Sequence, residues 1–534
     1  MADPQPTSSG RLARAAGVTG AATMTSRVLG VVREQVLASM FGAGDAMDAY
    51  NVAFRIPNLV RDLFAEGAMS AAFVPTFTRE LGTGGKEAAW RLGRVVLTAL
   101  ILITGAVSIA GILFARPLAS LFASEYALVP GKLDLTVQLT RIMVPFLVLV
   151  ALAAALMGML NSLHRFFLPA LSPAMFNVGT IVCTLALVPF MPALGLPPIA
   201  AVAIGTLVGG FGQVALQWPS LRREGFRFRP AFNFRDPGLR RVLLLMGPGT
   251  VGLAATQVNL FVNTVLATGQ GTGAVSWLQY AFRLMYLPIG LFGVSIATAT
   301  LPTVSRHATS GDRDGVRRTV ADSLSLMMML NVPATLGLMV LATPIVRLIF
   351  ERRAFTAADT AATAGALEFY AIGLIGYSVV RISSPVFYAI NDSRTPVKVS
   401  MAAMLANAIL NITLVQVLGY RGLALGTSLA ALLNATCLLV LLHRRLDGIE
   451  GRRVAVSLAR ITAASAVMAL AAWGTQGWME THLPGRGVLV QMIRLAVSMG
   501  VSVSALAGAA HLFRVQEFQQ GVSLVTARLR RRRG

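Results

Sequence analysis

Charge is scarce in this 534-residue chain, and acidic charge scarcer still: Asp, Glu, Lys and Arg make up 13% of it, with 23 acids against 46 basic residues. So small a polar fraction, beside 55% hydrophobic residues and a mean hydropathy of +0.68, cannot cover a water-soluble body of this size. The shortage of acids also argues against a membrane enzyme acting on polyprenyl phosphates, which should show clustered carboxylates for a metal near one face. There are two cysteines, Cys183 and Cys437, both inside apolar runs, so neither a disulfide nor a metal site follows. The five histidines, His164, His307, His443, His482 and His511, sit near segment ends without ligand spacing. No nucleophile elbow or Walker loop is present, and no cofactor is expected. Residues 1–10 are polar and the next apolar stretch is broken by Arg27 and Arg33, so no secretory signal is evident.

What the chain does have is hydrophobic runs of membrane-spanning length from end to end. Fourteen fall at about 15–41, 47–77, 93–122, 134–160, 168–191, 198–219, 242–267, 274–304, 319–350, 361–390, 397–418, 421–443, 454–478 and 488–513. The fold class expected is an all-α polytopic membrane protein.

The net charge of +23 would suggest nucleic acid in a soluble protein, but its placement here points to topology, and no nucleic-acid partner is expected. Alternate connections carry the arginines: Arg79, Arg91 and Arg94, seven from Arg222 to Arg241, Arg313, Arg317 and Arg318, Arg444 to Arg453, and the tail RLRRRRG. The intervening connections GAGDAMD, PALGLPP and ATGQGTG are nearly bare, with Arg347, Arg352 and Arg353 as local exceptions. The positive-inside rule then puts the basic connections and both termini in the cytoplasm. The basic tail also has the composition to touch anionic lipid.

The chain says nearly the same thing twice. Ala53, Phe54 and Arg55 recur as Ala281, Phe282 and Arg283, an offset of 228 residues (283 − 55). Pro75, Thr76 and Arg79 recur as Pro302, Thr303 and Arg306, and FARPLASLF (114–122) recurs as LATPIVRLIF (341–350). Such an offset covers six spans, an even number, so the copies should run parallel, related by a pseudo-twofold axis along the membrane normal. The division expected is an N-lobe at 1–230, a C-lobe at 231–450, and a two-helix addition with a basic tail at 451–534.

Burying an Arg in hydrocarbon costs at least about 2.5 kcal/mol, so charges within spans are functional candidates. They concentrate in the first, second and eighth runs. Arg27, Arg33 and Glu34 flank Gly30; at about 100° per residue Arg27 and Glu34 share a face, and Arg33 leaves it unless the helix bends. In the second run Asp48, Arg55, Asp62 and Glu66 form one stripe, with Arg61 off it beyond Pro57. Arg283 is the only charge in its own run. One reading makes these charges internal ion pairs that join helices. The other, favoured by the excess of arginine, is a cavity between the lobes that receives an anion, and a guanidinium fork suits phosphate.

The stretch 26–75, with SRVLGVVREQ and NVAFRIPNLVRDLFAEGAMSAAFVP, closely resembles the opening of the MurJ/MviN family of bacterial lipid II flippases, in the multidrug/oligosaccharidyl-lipid/polysaccharide exporter superfamily. The likeness continues through SWLQYAFRLMYLPIGLFGV (276–294) and NDSRTPVK (391–398) and covers essentially the whole chain. The resemblance implies fourteen helices in two lobes and transport of undecaprenyl-pyrophosphate-linked peptidoglycan precursor to the outer leaflet of the cytoplasmic membrane by alternating access. Lipid II, membrane lipids and the cell-wall synthesis machinery are the partners it implies. It carries cavity roles onto Arg27, Arg33, Arg61 and Arg283 and onto Asp48, and Arg55, Glu34 and Glu66 join them as candidate substrate-binding residues. Glu34 stands where an Asp is common, which keeps the charge, and Phe282 and Tyr286 stand where relatives can have acids, so no coupling role is carried over; family members differ in cation dependence and Asp392 is the one weak candidate ligand, so no sodium site is carried over. The alternatives on the same scaffold are another polysaccharide-lipid exporter and a cation-coupled multidrug exporter, and for the multidrug exporter acids rather than arginines would be expected in the cavity.

Overall fold

The computed structural model describes residues 8–62, 69–290 and 294–519, with the side chains of 8–19, 60, 70–71, 247–255 and 294–295 left aside. Glu66 and the basic tail therefore lie outside the described residues.

The described chain is helical throughout, without strands. Its first part holds α1 (Ser8–Phe41), α2 (Asp45–Arg61), α3 (Ser70–Leu113), α4 (Ala115–Phe122), α5 (Lys132–Met143), α6 (Phe146–Ser162), α7 (Phe167–Leu187), α8 (Ala200–Arg223) and α9 (Pro237–Thr268). There follow α10 (Ala274–Pro288), α11 (Val294–Thr309), α12 (Arg313–Val340), α13 (Ala342–Phe350), α14 (Ala357–Ala389), α15 (Arg394–Leu418), α16 (Tyr420–Arg445), α17 (Gly451–His482) and α18 (Val488–Leu512). Among the described residues ten helical stretches are long and apolar enough to cross a membrane. They correspond to the third to sixth and ninth to fourteenth expected runs. The first and second runs carry the charges, and the seventh and eighth include residues or side chains outside the description.

Two expected boundaries move for physical reasons. Residues 78–92, read as a connection, are helical and belong to α3, interrupted only at Gly85, whose φ of 71° is a left-handed conformation that costs glycine little. The third and ninth runs each end in a separate short helix. Phe114 (φ −96°, ψ 22°) breaks α3 from α4, and Leu341 (φ −101°, ψ 16°) breaks α12 from α13 in the same way. The two short helices are one of the repeated sequence pairs, 114–122 and 341–350.

The chain divides into two compact units, Met1–Ser276 and Trp277–Gly534. In the first, α3 packs on α6, α6 on α8 and α7 on α8; in the second, α12 packs on α14, α14 on α16 and α15 on α16. The same helix pairs thus recur at corresponding places in both copies, as duplication requires. The unit boundary falls later than the repeat boundary at 230, because α9 packs against α3 and α4. Phe73, Phe77, Trp90 and Phe226 form the aromatic centre of one core, to which Leu239 and Val242 of α9 also belong. Close helix contact relies on small residues: a Cβ at Gly179 of α7 would fall 2.5 Å from the backbone of Gly209 in α8. In the second unit α17 and α18 join the main core through Ile461, Ala464, Ala509 and Ala510, beside Val320 and Leu324 of α12.

Candidate functional site

Arg33 and Glu34 are both buried on α1, at 7% and 4% exposure, in a helix that runs unbroken past Gly30. Neighbours in sequence project about 100° apart on a helix, yet the flexible Arg33 side chain turns back. Its Nη2 donates to Glu34 Oε1 over 2.6 Å and its Nε to the same oxygen over 3.2 Å. The guanidinium also lies 4.9 Å from the centre of the Phe176 ring on α7. Beneath it, Phe176 stacks with Phe54 of α2 at 5.7 Å, and Phe54 stacks with Tyr50 at 5.8 Å. Asn177 Nδ2 donates to Ser26 O, fixing α1 to α7 at this level. The expected separation of Arg33 from Glu34 is therefore corrected to a paired, half-caged cation.

Asp48 has neighbours that the helical stripe did not suggest. Its carboxylate is wholly buried and accepts from Lys132 Nζ (3.1 Å), Gly273 N (2.7 Å), Ser276 N (3.0 Å) and Ser276 Oγ (2.7 Å). Lys132, the first residue of α5, is itself 3% exposed and also pairs with Asp45 at 2.7 Å. Its ammonium lies 4.2 Å from the Tyr126 ring centre. Burial would raise the Asp45 pKa, but hydrogen bonds from Lys132 and Thr272 outweigh it and hold that carboxyl below its ordinary value. The Tyr126 phenol is pushed the other way, by burial and by the charges of Asp48 and Asp45. The cluster joins the starts of α2 and α5 to the turn that opens α10, all inside the first unit.

The other candidates in this unit are more open. Arg61 pairs with its neighbour Asp62 at 2.8 Å, and Asp62 also accepts from Gln257 of α9. Arg55 is half-buried and Arg27 is exposed. In the second unit Arg283 is half-buried on α10, one residue after Phe282, which stacks with Tyr286 at 5.9 Å. Tyr286 accepts a hydrogen bond from Arg381 of α14. Arg381 is thus placed near the Arg283 face of α10, which its sequence position alone did not reveal. Arg494, also unassigned from sequence, is a buried structural group that donates to Leu483 O.

Repeated helix pairs, ten membrane-length helices among the described residues and guanidiniums buried within the helical body define an internally duplicated, multi-pass membrane protein. The family model described as "Lipid II flippase MurJ" matches residues 37–493, and the chain belongs to this family. A relative from Vibrio cholerae serotype O1, named "Probable lipid II flippase MurJ", is 34% identical over 93% of this chain and 95% of its own. A "Lipid II flippase MurJ" from Burkholderia cenocepacia is 35% identical over 79% of this chain and 82% of its own. A solved structure titled "Lipid II flippase MurJ, inward closed conformation" superposes with a TM-score of 0.75 at 26% identity, covering 93% of this chain and 98% of that one. An inward-facing multidrug resistance MATE family transporter shares the fold alone, with a TM-score of 0.66 at 15% identity over 81% of this chain and 98% of its own.

Proposed function

We propose that this protein flips lipid II, the undecaprenyl-pyrophosphate-linked precursor, from the inner to the outer leaflet of the cytoplasmic membrane. The observation that carries the reading is the family match over 37–493, which takes in Asp48, Arg55, Arg61 and Arg283. Arg27, Arg33 and Glu34 precede that stretch, and the buried Arg33–Glu34 pair supports including them.

In this reading the chain crosses the membrane fourteen times, both termini are cytoplasmic, and two parallel six-helix repeats alternate access to the two leaflets. Guanidiniums of Arg27, Arg33, Arg55, Arg61 and Arg283 neutralise the pyrophosphate as it leaves water, Arg33 and Arg61 through the N–H groups that Glu34 and Asp62 leave unused. Glu34 orients Arg33 rather than touching substrate, since a free carboxylate beside pyrophosphate would repel it. Asp48, with both oxygens occupied by protein donors, braces the start of α2, the helix that carries Arg55 and Arg61. Glu66 is retained as a group that balances this charge. The step is transport without covalent chemistry.

The test is reconstitution into vesicles carrying fluorescent lipid II in the inner leaflet. The protein should speed its appearance outside, while leaving a polyprenol lacking the pyrophosphate and sugars unmoved. Equal acceleration of both lipids would exclude head-group recognition by arginine.

A further inference from the structure

A second charged feature of the fold takes no part in this reading. The end of α16, the start of α17 and the segment after α18 enclose a cavity of about 690 Å³. All three helices are membrane-crossing candidates, so their ends lie where lipid head groups lie.

The lining charges differ in how far they are already engaged. Arg453 is held by Glu450 at 2.9 Å and Asp322 at 2.8 Å. Arg460 spends one nitrogen on Arg514 O, and exposed Arg452 has no ion pair among the described residues. Glu517 accepts from Ser457 Oγ through Oε1 at 2.8 Å, while its Oε2 is buried without any hydrogen-bond partner. An unmatched buried carboxylate oxygen calls for a donor, and two guanidiniums with spare N–H groups call for an anion.

We propose that this cavity binds the zwitterionic head group of an aminophospholipid, with Arg452 and Arg460 on the phosphate and Glu517 on the primary ammonium. Basic pockets at the ends of membrane helices suit lipid phosphates generally; the carboxylate adds the selection for an ammonium. Val456, which lines the cavity and is 44% exposed, continues along α17 into exposed Val467 and Leu470, an apolar surface for an acyl chain.

The experiment is native mass spectrometry of the delipidated full-length protein titrated with phosphatidylethanolamine, phosphatidylglycerol or phosphatidylcholine. Phosphatidylethanolamine should be retained about tenfold better than the other two, the scale of one hydrogen bond to a charged group. Phosphatidylglycerol offers no ammonium, and the quaternary head of phosphatidylcholine has no N–H to give. Glu517→Gln should erase the preference while leaving phosphatidylglycerol retention unchanged, and Arg452→Gln should weaken all three. Equal retention of the three lipids by the unaltered protein would overturn the proposal without recourse to any variant, as would an unchanged preference in Glu517→Gln. Displacement of the lipid by soluble phosphoethanolamine at matching concentration would assign the site to a free phosphate ester and overturn the lipid assignment.

Discussion

Lys132 donates to Asp48 across 3.1 Å, with 2% and 0% of the two side chains open to solvent. Neither charge could stay ionised there alone, so the pair and its backbone donors act as one brace for the starts of α2 and α5 and the turn at 273–276. Asp48→Leu removes the acceptor for four donor contacts at once, and Lys132→Met leaves a buried carboxylate without its cation. Each should destabilise by about 3 kcal/mol or more. Thermal unfolding of the purified protein checks this, and the Asp48→Leu/Lys132→Met double variant should recover part of the loss. Strictly additive losses would mean that the two residues do not act as a pair.

Arg283 is expected to act on substrate. Arg283→Ala should abolish complementation of a flippase-depleted strain at near-normal membrane abundance, and Arg283→Lys should restore growth only in part, because an ammonium keeps charge without the planar fork. Loss of abundance in step with loss of growth would instead assign Arg283 to holding helices together.

The topology follows from the alternation of basic and bare connections. In a background lacking Cys183 and Cys437, Arg229→Cys should be labelled only from the cytoplasm and Gly269→Cys only from outside; both positions are exposed. A Cβ at Gly269 meets nothing closer than 3.7 Å, so the probe itself is tolerated. Labelling of both from one side would rule out the fourteen-span arrangement.

Glu224 offers a pH readout outside the spans. Hydrogen bonds from Arg165 and Lys86 hold its carboxyl below the ordinary 4.5. A depressed folded-state pKa means that the pairing stabilises the protein above 4.5 and is lost as pH falls below that value. The exposed partners keep the effect small, within about 1 kcal/mol. Glu224→Gln should therefore melt slightly earlier than the parent at pH 7, and the gap should close as pH drops through 4.5. A gap that widened in acid would contradict the assignment.

Much of the helical layout is legible in the sequence because apolar run length and the copied motifs report it directly. The short helices α4 and α13 escape that reading: each follows its long helix without a polar gap, and only the backbone at Phe114 and Leu341 marks the break. Arg33 and Glu34 are legible as intramembrane charges, but their pairing depends on an arginine curling against helical projection. Lys132 was missed for a different reason. It lies just before the fourth expected run, 84 residues from Asp48 in the chain, and nothing local ties the two. Its one available signal was rarity, since it is one of only three lysines in the sequence.

The most direct measurement of the central claim is depletion of this protein in growing cells, followed by assay of which lipid-linked intermediate accumulates and on which leaflet. The account predicts lipid II accumulating on the cytoplasmic side, with restored export when the intact gene product returns. Normal arrival of lipid II on the outer leaflet in depleted cells, with no other flippase acting, would contradict it.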